Sequence, residues 1–313
     1  MNMKSPAKSC RLKVPRPNLR RRIASTFNLQ SSTFNCARAF TLVEVMVAVA
    51  LMALIVIALM AVFSNTQRAF RASITQTDIL ENGRAAMDLM ASDLGKMAAS
   101  NLPTNNYANA NFSVRNSGNP PLMQALVGSI SGNPRTNILE SFFILSSGNQ
   151  NGVPTWYGTG YAVLTNNGTA LYPLYRFSTN YPMASFGAVS NLYFRSFQSF
   201  LNAPTNYSHL IDGVVDLRIH AFDENGLLIN RIGSSFITNS IGIPGEVGYI
   251  FLSNALPAAV EIEMATLEDP SLQRAESLPT GTVRDTYLNG RIGQVHVFRQ
   301  RVSILNVDLA AYQ

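Results

Sequence analysis

FTLVEVMVAVALMALIVIALMAVF, residues 40–63, decides how this chain of 313 residues is read. From Val45 to Phe63 it runs 19 residues without a charge. A helix of that length rises about 28 Å, close to the thickness of a bilayer's hydrocarbon core. Upstream, residues 1–39 carry nine Lys or Arg and no acid, with Arg20, Arg21 and Arg22 as a block and Arg38 near the apolar run. The positive-inside rule keeps that end in the cytoplasm and sends the C-terminal bulk across. An ordinary secretory signal has a shorter apolar core followed by a small-residue cleavage site. Ser64-Asn65-Thr66-Gln67-Arg68 is a poor site of that kind. A plain single-pass anchor fits the length but leaves Glu44, and Ala39-Phe40 just before the run, without a reason.

Charge and composition narrow the function. Only 13% of residues are charged, about half the usual ~25%, which excludes a highly charged disordered protein. The net charge of +6 is placed almost wholly upstream: residues 40–313 hold 15 basic and 18 acidic side chains, a net of −3. A slightly acidic body gains little affinity for phosphate backbones, which weighs against a nucleic-acid partner. Cys10 and Cys36 also lie upstream. Residues 40–313 therefore have no disulfide, thiolate metal site or cysteine nucleophile.

Arg38-Ala39-Phe40-Thr41-Leu42-Val43-Glu44 resembles the class III signal of type IV prepilins and pseudopilins. The resemblance implies that a prepilin peptidase and methylase cuts between Ala39 and Phe40 on the cytoplasmic side and methylates the new amine of Phe40. Glu44 becomes the fifth residue of the mature chain. In the family this glutamate meets the free amine of a neighbouring subunit's first residue and sets the filament's stagger. A carboxylate inside an apolar helix costs about 2.5–3.5 kcal/mol on insertion scales, so it persists where a partner exists. Two features depart from the family pattern: Ala39 stands where glycine is usual, and a leader of 39 residues is long.

Past the apolar run, residues 64–100 contain no proline. Met87, Met90, Leu94 and Met97 step by 3, 4 and 3, the period of an amphipathic helix. Phe40 to about Ser100 is therefore expected as one helix, stopped by Pro103. Its first part, residues 40–63, suits lipid or a filament core, and its second, 64–100, lays an apolar stripe on a globular domain. Residues 101–313 are rich in Asn, Ser, Gly and Pro with strand-like runs between turns. Residues 101–121 read as a loop. Strands are expected at Glu140–Ser146, Tyr157–Thr165, Leu171–Phe177, Val189–Ser196, Val214–Phe222, Leu227–Ile232, Ala259–Leu267 and Gln294–Ile304, with a hairpin turn at Asp223-Glu224-Asn225-Gly226. The fold class is α+β: a long N-terminal helix packed on an antiparallel β domain.

Residues 80–94, LENGRAAMDLMASDL, resemble the helix of J-type minor pseudopilins and W-type minor pilins. Gly213-Val214-Val215-Asp216-Leu217-Arg218 and Leu256-Pro257-Ala258-Ala259-Val260-Glu261-Ile262 resemble two β segments of the same group. The resemblance implies a non-enzymatic minor pseudopilin at the tip of a type II secretion pseudopilus. Its partners would be other major and minor pseudopilins and an inner-membrane assembly platform. It would sit in the bacterial inner membrane with its C-terminal domain in the periplasm before joining the filament. A minor pilin of a type IV pilus, serving adhesion, motility or DNA uptake, fits the same residues. A different class, a membrane-anchored β-rich binding protein outside any filament, requires no cleavage at Ala39–Phe40 and indifference to Glu44.

The search for catalytic or metal chemistry finds no constellation, so neither enzyme activity nor a cofactor is expected. His209, His220 and His296 form no metal-ligand spacing. No nucleophile elbow, P-loop or dinucleotide fingerprint occurs. Glu261 and Glu263 alternate on one strand and are expected on a solvated polar face. Glu268-Asp269 lacks the loop of spaced oxygen ligands that calcium needs. Residues 172–207 are dense in aromatics, with Arg176 and Arg195 among them. Core and edge packing is the expected use, and this is also where a partner-binding surface would be sought.

Overall fold

The computed structural model describes residues 40–103, 107–116, 137–164, 169–202, 207–229, 237–241 and 247–312. α1 covers Leu42–Leu94 as one helix of 53 residues. The boundary between two compact units falls inside it, between Ala61 and Val62. In the first unit every described residue is exposed. In the second, Ile79, Gly83, Ala86, Met87, Met90 and Leu94 are buried, at the spacing of one helix face.

That face packs on a nine-stranded antiparallel sheet. Its strands are β1 Ala110–Asn116, β2 Glu140–Gln150, β3 Val153–Val163, β4 Tyr172–Pro182, β5 Tyr207–Phe222, β6 Ile237–Ile241, β7 Val247–Leu252, β8 Ala259–Leu267 and β9 Val295–Ser303. The spatial order is β6-β7-β1-β2-β3-β4-β5-β8-β9. The expected α+β class, a long helix on an antiparallel sheet, is the one observed. The core between α1 and the sheet gathers Met87, Met90 and Leu94 with Phe112, Phe142, Tyr161, Leu217 and Ile262. Each such side chain stabilises the fold by about 1.5–3 kcal/mol when fully buried. On the opposite face, Ala265 and Leu267 of β8 meet Leu272 and Ala275 of α4 (Asp269–Glu276) and Leu288 of α5 (Thr282–Asn289).

Four expectations are corrected. The helix ends at Leu94, not Ser100. Gly95, a poor helix former, occupies the turn, and Met97 bridges Ser146 of β2 while the Ala98 N–H donates to the Leu145 carbonyl at 2.9 Å. Strand pairing stops the helix well before Pro103. The expected loop at 101–121 contains β1, whose Phe112 and Val114 are fully buried. Asn111 is buried there because its side chain donates to the carbonyls of Ser253 and Ala255 and accepts from the Ser100 N–H. Asn111 is thus a hydrogen-bonding residue of an interior strand, not a turn signal. Residues 104–106 and 117–121 of that loop lie outside the described residues.

Third, Val189–Ser196 is helical. α2 (Ala188–Ser190), a π-helical turn (Asn191–Phe197) and α3 (Gln198–Asn202) follow one another. The buried positions Val189, Leu192, Tyr193, Phe197 and Phe200 step by helical intervals, and this period overrides the β propensity of the aromatics. These rings cover Phe143 and Phe177, with the Phe143 and Tyr193 centroids 5.2 Å apart. Gly160 of β3 makes room, since a Cβ there would fall 2.2 Å from the Phe197 ring. Most of the aromatic-rich segment is therefore core, as expected. Phe186 and Phe194 stay exposed. Fourth, Glu261 and Glu263 are not on a solvated face: both are buried, at 8% and 6% exposure. Of the expected strand Leu227–Ile232, Leu228 makes one bridge to Phe222, and residues 230–232 lie outside the described residues. The expected turn is present: the Gly226 N–H donates to the Asp223 carbonyl at 3.0 Å, and Gly226 has φ 76°.

Gly83 is where α1 comes closest to β9. A Cβ at this position would lie 2.2 Å from Phe298 Cζ. In an isolated helix, Gly83→Ala would gain up to about 1 kcal/mol. Here the overpacking cost of about 1–3 kcal/mol outweighs it. We expect Gly83→Ala to lower the urea midpoint, and Gly83→Ala combined with Phe298→Leu to recover part of the loss. A midpoint raised by Gly83→Ala alone would contradict this packing.

Candidate functional site

The site singled out by the sequence lies at the start of α1. Ala39 lies outside the described residues. Phe40 is 77% exposed and precedes the helix. Thr41 is the residue that sequence reasoning missed. Its Oγ1 accepts the Glu44 backbone N–H at 3.3 Å, and its carbonyl accepts the Val45 N–H at 3.2 Å. Thr41 thus stands at the N-cap and Glu44 at the third helical position, the T-x-x-E spacing of a capping box. That signature was legible in FTLVE and marks where the helix begins. Glu44 in the first turn also complements the helix dipole. The helix start therefore lies two residues past the expected cut, with Phe40 and Thr41 between them. Replacing Thr41 with valine removes the cap, which costs about 0.5–2 kcal/mol. We expect faster amide exchange at Glu44 and Val45 in Thr41→Val, with the rest of the helix unchanged.

Among the described residues the Glu44 side chain has no hydrogen-bond partner and is exposed. Phe40, Leu42, Val43, Val45 and Met46 are exposed beside it. α1 is the one helix, among the described residues, long and apolar enough to cross a membrane.

Elsewhere several ionisable groups pair with one another. The most perturbed cluster joins α1 to β3 and β4. The Tyr161 hydroxyl donates to Asp93 Oδ2 at 2.6 Å, and Arg176 Nε donates to the same oxygen at 2.9 Å. Burial alone would raise the Asp93 carboxyl, but the hydrogen bonds from Arg176 and Tyr161 and the charges of Arg176 and Lys96 outweigh it and hold it below its ordinary value. Burial, reinforced by the neighbouring Asp93 carboxylate, pushes the Tyr161 phenol far above its ordinary value. This cluster pins α1 to the sheet. It offers no opening for a substrate atom.

The three histidines sit apart, each beside one carboxylate: His209 with Asp212 at 2.8 Å, His220 with Glu261 at 3.9 Å and His296 with Glu268 at 2.9 Å. No group of three or more potential metal ligands occurs among the described residues. Glu261 and Glu263 are held by their neighbours on β5 and β9. Arg218 pairs across from Glu263, His220 from Glu261, and Arg299 Nη2 donates to Glu261 Oε1 at 2.5 Å. Paired and shielded, they are not arranged as an acid and a base around a common vacancy.

The family described as the prokaryotic N-terminal methylation motif matches residues 34–61. No curated protein matches the chain, and no solved structure does. The chain therefore carries a type IV pilin-like prepilin signal, joined to a single long apolar helix that anchors it in a membrane. The signal implies processing by a prepilin peptidase and assembly with other pilins, and points to a structural subunit.

Proposed function

We propose that this protein is a non-enzymatic minor pseudopilin that helps initiate or cap the pseudopilus of a type II secretion system. The observation that carries the reading is the methylation motif at 34–61 running into a capped apolar helix whose Glu44 side chain has no hydrogen-bond partner among the described residues. Cleavage between Ala39 and Phe40 frees an amine two residues before the helix. Methylated Phe40 and Glu44 then face neighbouring subunits within the membrane. The C-terminal domain lies in the periplasm, and the subunit ends at the filament tip. Support for the J-type assignment comes from where its three matching segments fall. Residues 80–94 lie on α1, 213–218 on β5 and 256–262 lead into β8. β5 pairs with β8, and Met87, Met90, Leu217 and Ile262 share one core. Three separate sequence matches thus form one packed unit.

The deciding experiment is N-terminal and intact mass spectrometry of the membrane-extracted protein, with and without the host's prepilin peptidase. A chain beginning at N-methylated Phe40 only when the peptidase is present supports the reading. A chain that keeps residues 1–39, or is cut after Phe63, overturns it. Deletion should abolish secretion of the cargo while surface pili persist. Loss of pili with secretion intact would assign the protein to a type IV pilus instead.

A further inference from the structure

β9 ends the sheet: among the described residues it is hydrogen-bonded to β8 alone, along all nine of its residues. Its other side presents a backbone edge, the geometry that accepts an added strand. The side chains on one face show what kind of strand. Three strands there stand in register. Arg218 of β5 lies opposite Glu263 of β8, which lies opposite Arg299 of β9. In the next row His220, Glu261 and Arg301 are aligned in the same way. A third row sets Ala265 of β8 opposite Val297 of β9. In the first two rows a glutamate of β8 is followed by an arginine of β9 at the open edge, with Arg299 hydrogen-bonding back to Glu261, while Arg218 is ion-paired with Asp216 on its own strand. The two glutamates are buried, whereas the Arg299 side chain is 63% exposed and Val297 is 52% exposed. Arg301 is exposed too, its guanidinium 3.8 Å over the Phe222 ring.

We infer that the free edge of β9 is a docking site for an extended segment of a partner protein carrying an acid-x-acid-x-apolar pattern, added antiparallel as a tenth strand. The acids would continue the charge alternation opposite Arg301 and Arg299, and the apolar residue would cover Val297. β8 already has this pattern, Glu261-x-Glu263-x-Ala265, and meets the same three β9 residues from the other side. The free edge thus repeats a recognition the fold already uses. A second copy of β9 is a poor occupant, because antiparallel self-pairing centred on Arg299 or Arg301 sets arginine against arginine, and like charges directly opposite are destabilising. The arginines both block self-association and select an acidic strand. This inference is independent of the filament reading, since it concerns only the edge and its charge.

The probe is a labelled capped peptide, TVEVEVAT, with TVKVKVAT as its charge-reversed control, added to the full chain in detergent micelles. Fluorescence anisotropy should show the glutamate peptide binding at least about tenfold tighter than the lysine peptide at low salt, with the preference shrinking at high salt. Hydrogen exchange should slow at those β9 amides that do not face β8. Arg301→Gln should narrow the preference for the glutamate peptide over the lysine peptide. Glutamine is chosen because a carboxylate at 301 would lie directly opposite Glu261, and one at 299 would replace that glutamate's hydrogen-bond donor, so either would endanger folding. A glutamate peptide N-methylated along one backbone edge should lose binding, which separates strand addition from simple ion pairing. Equal affinity for both peptides, unchanged β9 exchange, or full binding by the N-methylated peptide would each overturn the inference.

Discussion

Asp93→Ala lowers the unfolding free energy of the full chain in detergent by about 3–5 kcal/mol at pH 7, the cost of removing one partner from a buried ion pair. Asp93 is 6% exposed and Tyr161 is fully buried. Removing the carboxylate leaves the buried Tyr161 O–H without an acceptor and leaves the Arg176 guanidinium only its longer hydrogen bond to the Tyr161 oxygen, 3.2 Å. Tyr161→Phe deletes two hydrogen bonds, the one donated to Asp93 and the one accepted from Arg176, but keeps the ion pair and should cost less, about 1–3 kcal/mol. The Asp93→Ala and Arg176→Met changes should be strongly non-additive, because either one breaks the same pair. The pH dependence has a definite sign. The Asp93 carboxyl is held below its ordinary value in the fold, so the native state binds its proton less readily than the unfolded chain. Its stabilisation is fully present above the unfolded value of about 3.9 and is lost as pH falls through the lower folded value. Urea melts at pH 7 and below pH 4 check this: the gap between the parent protein and Asp93→Ala should narrow in acid. A gap that stays constant would mean that the carboxylate's charge contributes nothing.

Glu44→Ala leaves cleavage before Phe40 intact and cuts incorporation into filaments by at least about tenfold, equivalent to about 1.4 kcal/mol of lost subunit contact. This rests on the proposed function. A carboxylate in an apolar helix is costly to insert, and among the described residues nothing offsets the cost, since the Glu44 side chain is exposed and unpartnered there. A methylated amine from a neighbour would supply the missing charge. Glu44→Gln isolates the charge. Glutamine keeps the length and polarity of the side chain, and the Thr41 cap on its backbone N–H, but carries no charge. If charge sets the register, Gln and Ala variants fail alike in the sheared filament fraction, while mass spectrometry shows both processed. Assembly of Glu44→Gln at the parent level would remove the ion pair from the account.

The start of α1 was legible almost residue by residue, because each signal there is local: an uninterrupted apolar run, a basic flank, and a threonine three residues before a glutamate. The α1 stripe at Met87, Met90 and Leu94 was legible for the same reason, as period alone identifies a buried helix face. Six strands were legible from propensity and alternation. The helical stretch at Val189–Ser196 was misread because propensity outweighed period in the reading. Its buried residues carry helical spacing, but the aromatics favour strands until a sheet is there for them to cover. β1 was hidden by a run rich in asparagine, in which Asn111 has hydrogen-bond partners, Ser253 and Ala255, that lie far along the chain.

By itself, then, the sequence determined the membrane helix, its processing signal, the α+β class and the absence of cysteine chemistry from residues 40–313. Those follow from contiguous residues and short-range periods. Only the tertiary structure decided that Glu261 and Glu263 are buried and paired, that Asp93 is shared by Tyr161 and Arg176, and that Arg299 and Arg301 close a charge pattern at an open edge. Each of these depends on strand order and register, which bring together residues dozens of positions apart. Electrostatic energy depends on distance and burial, and a linear sequence specifies neither until the chain has folded.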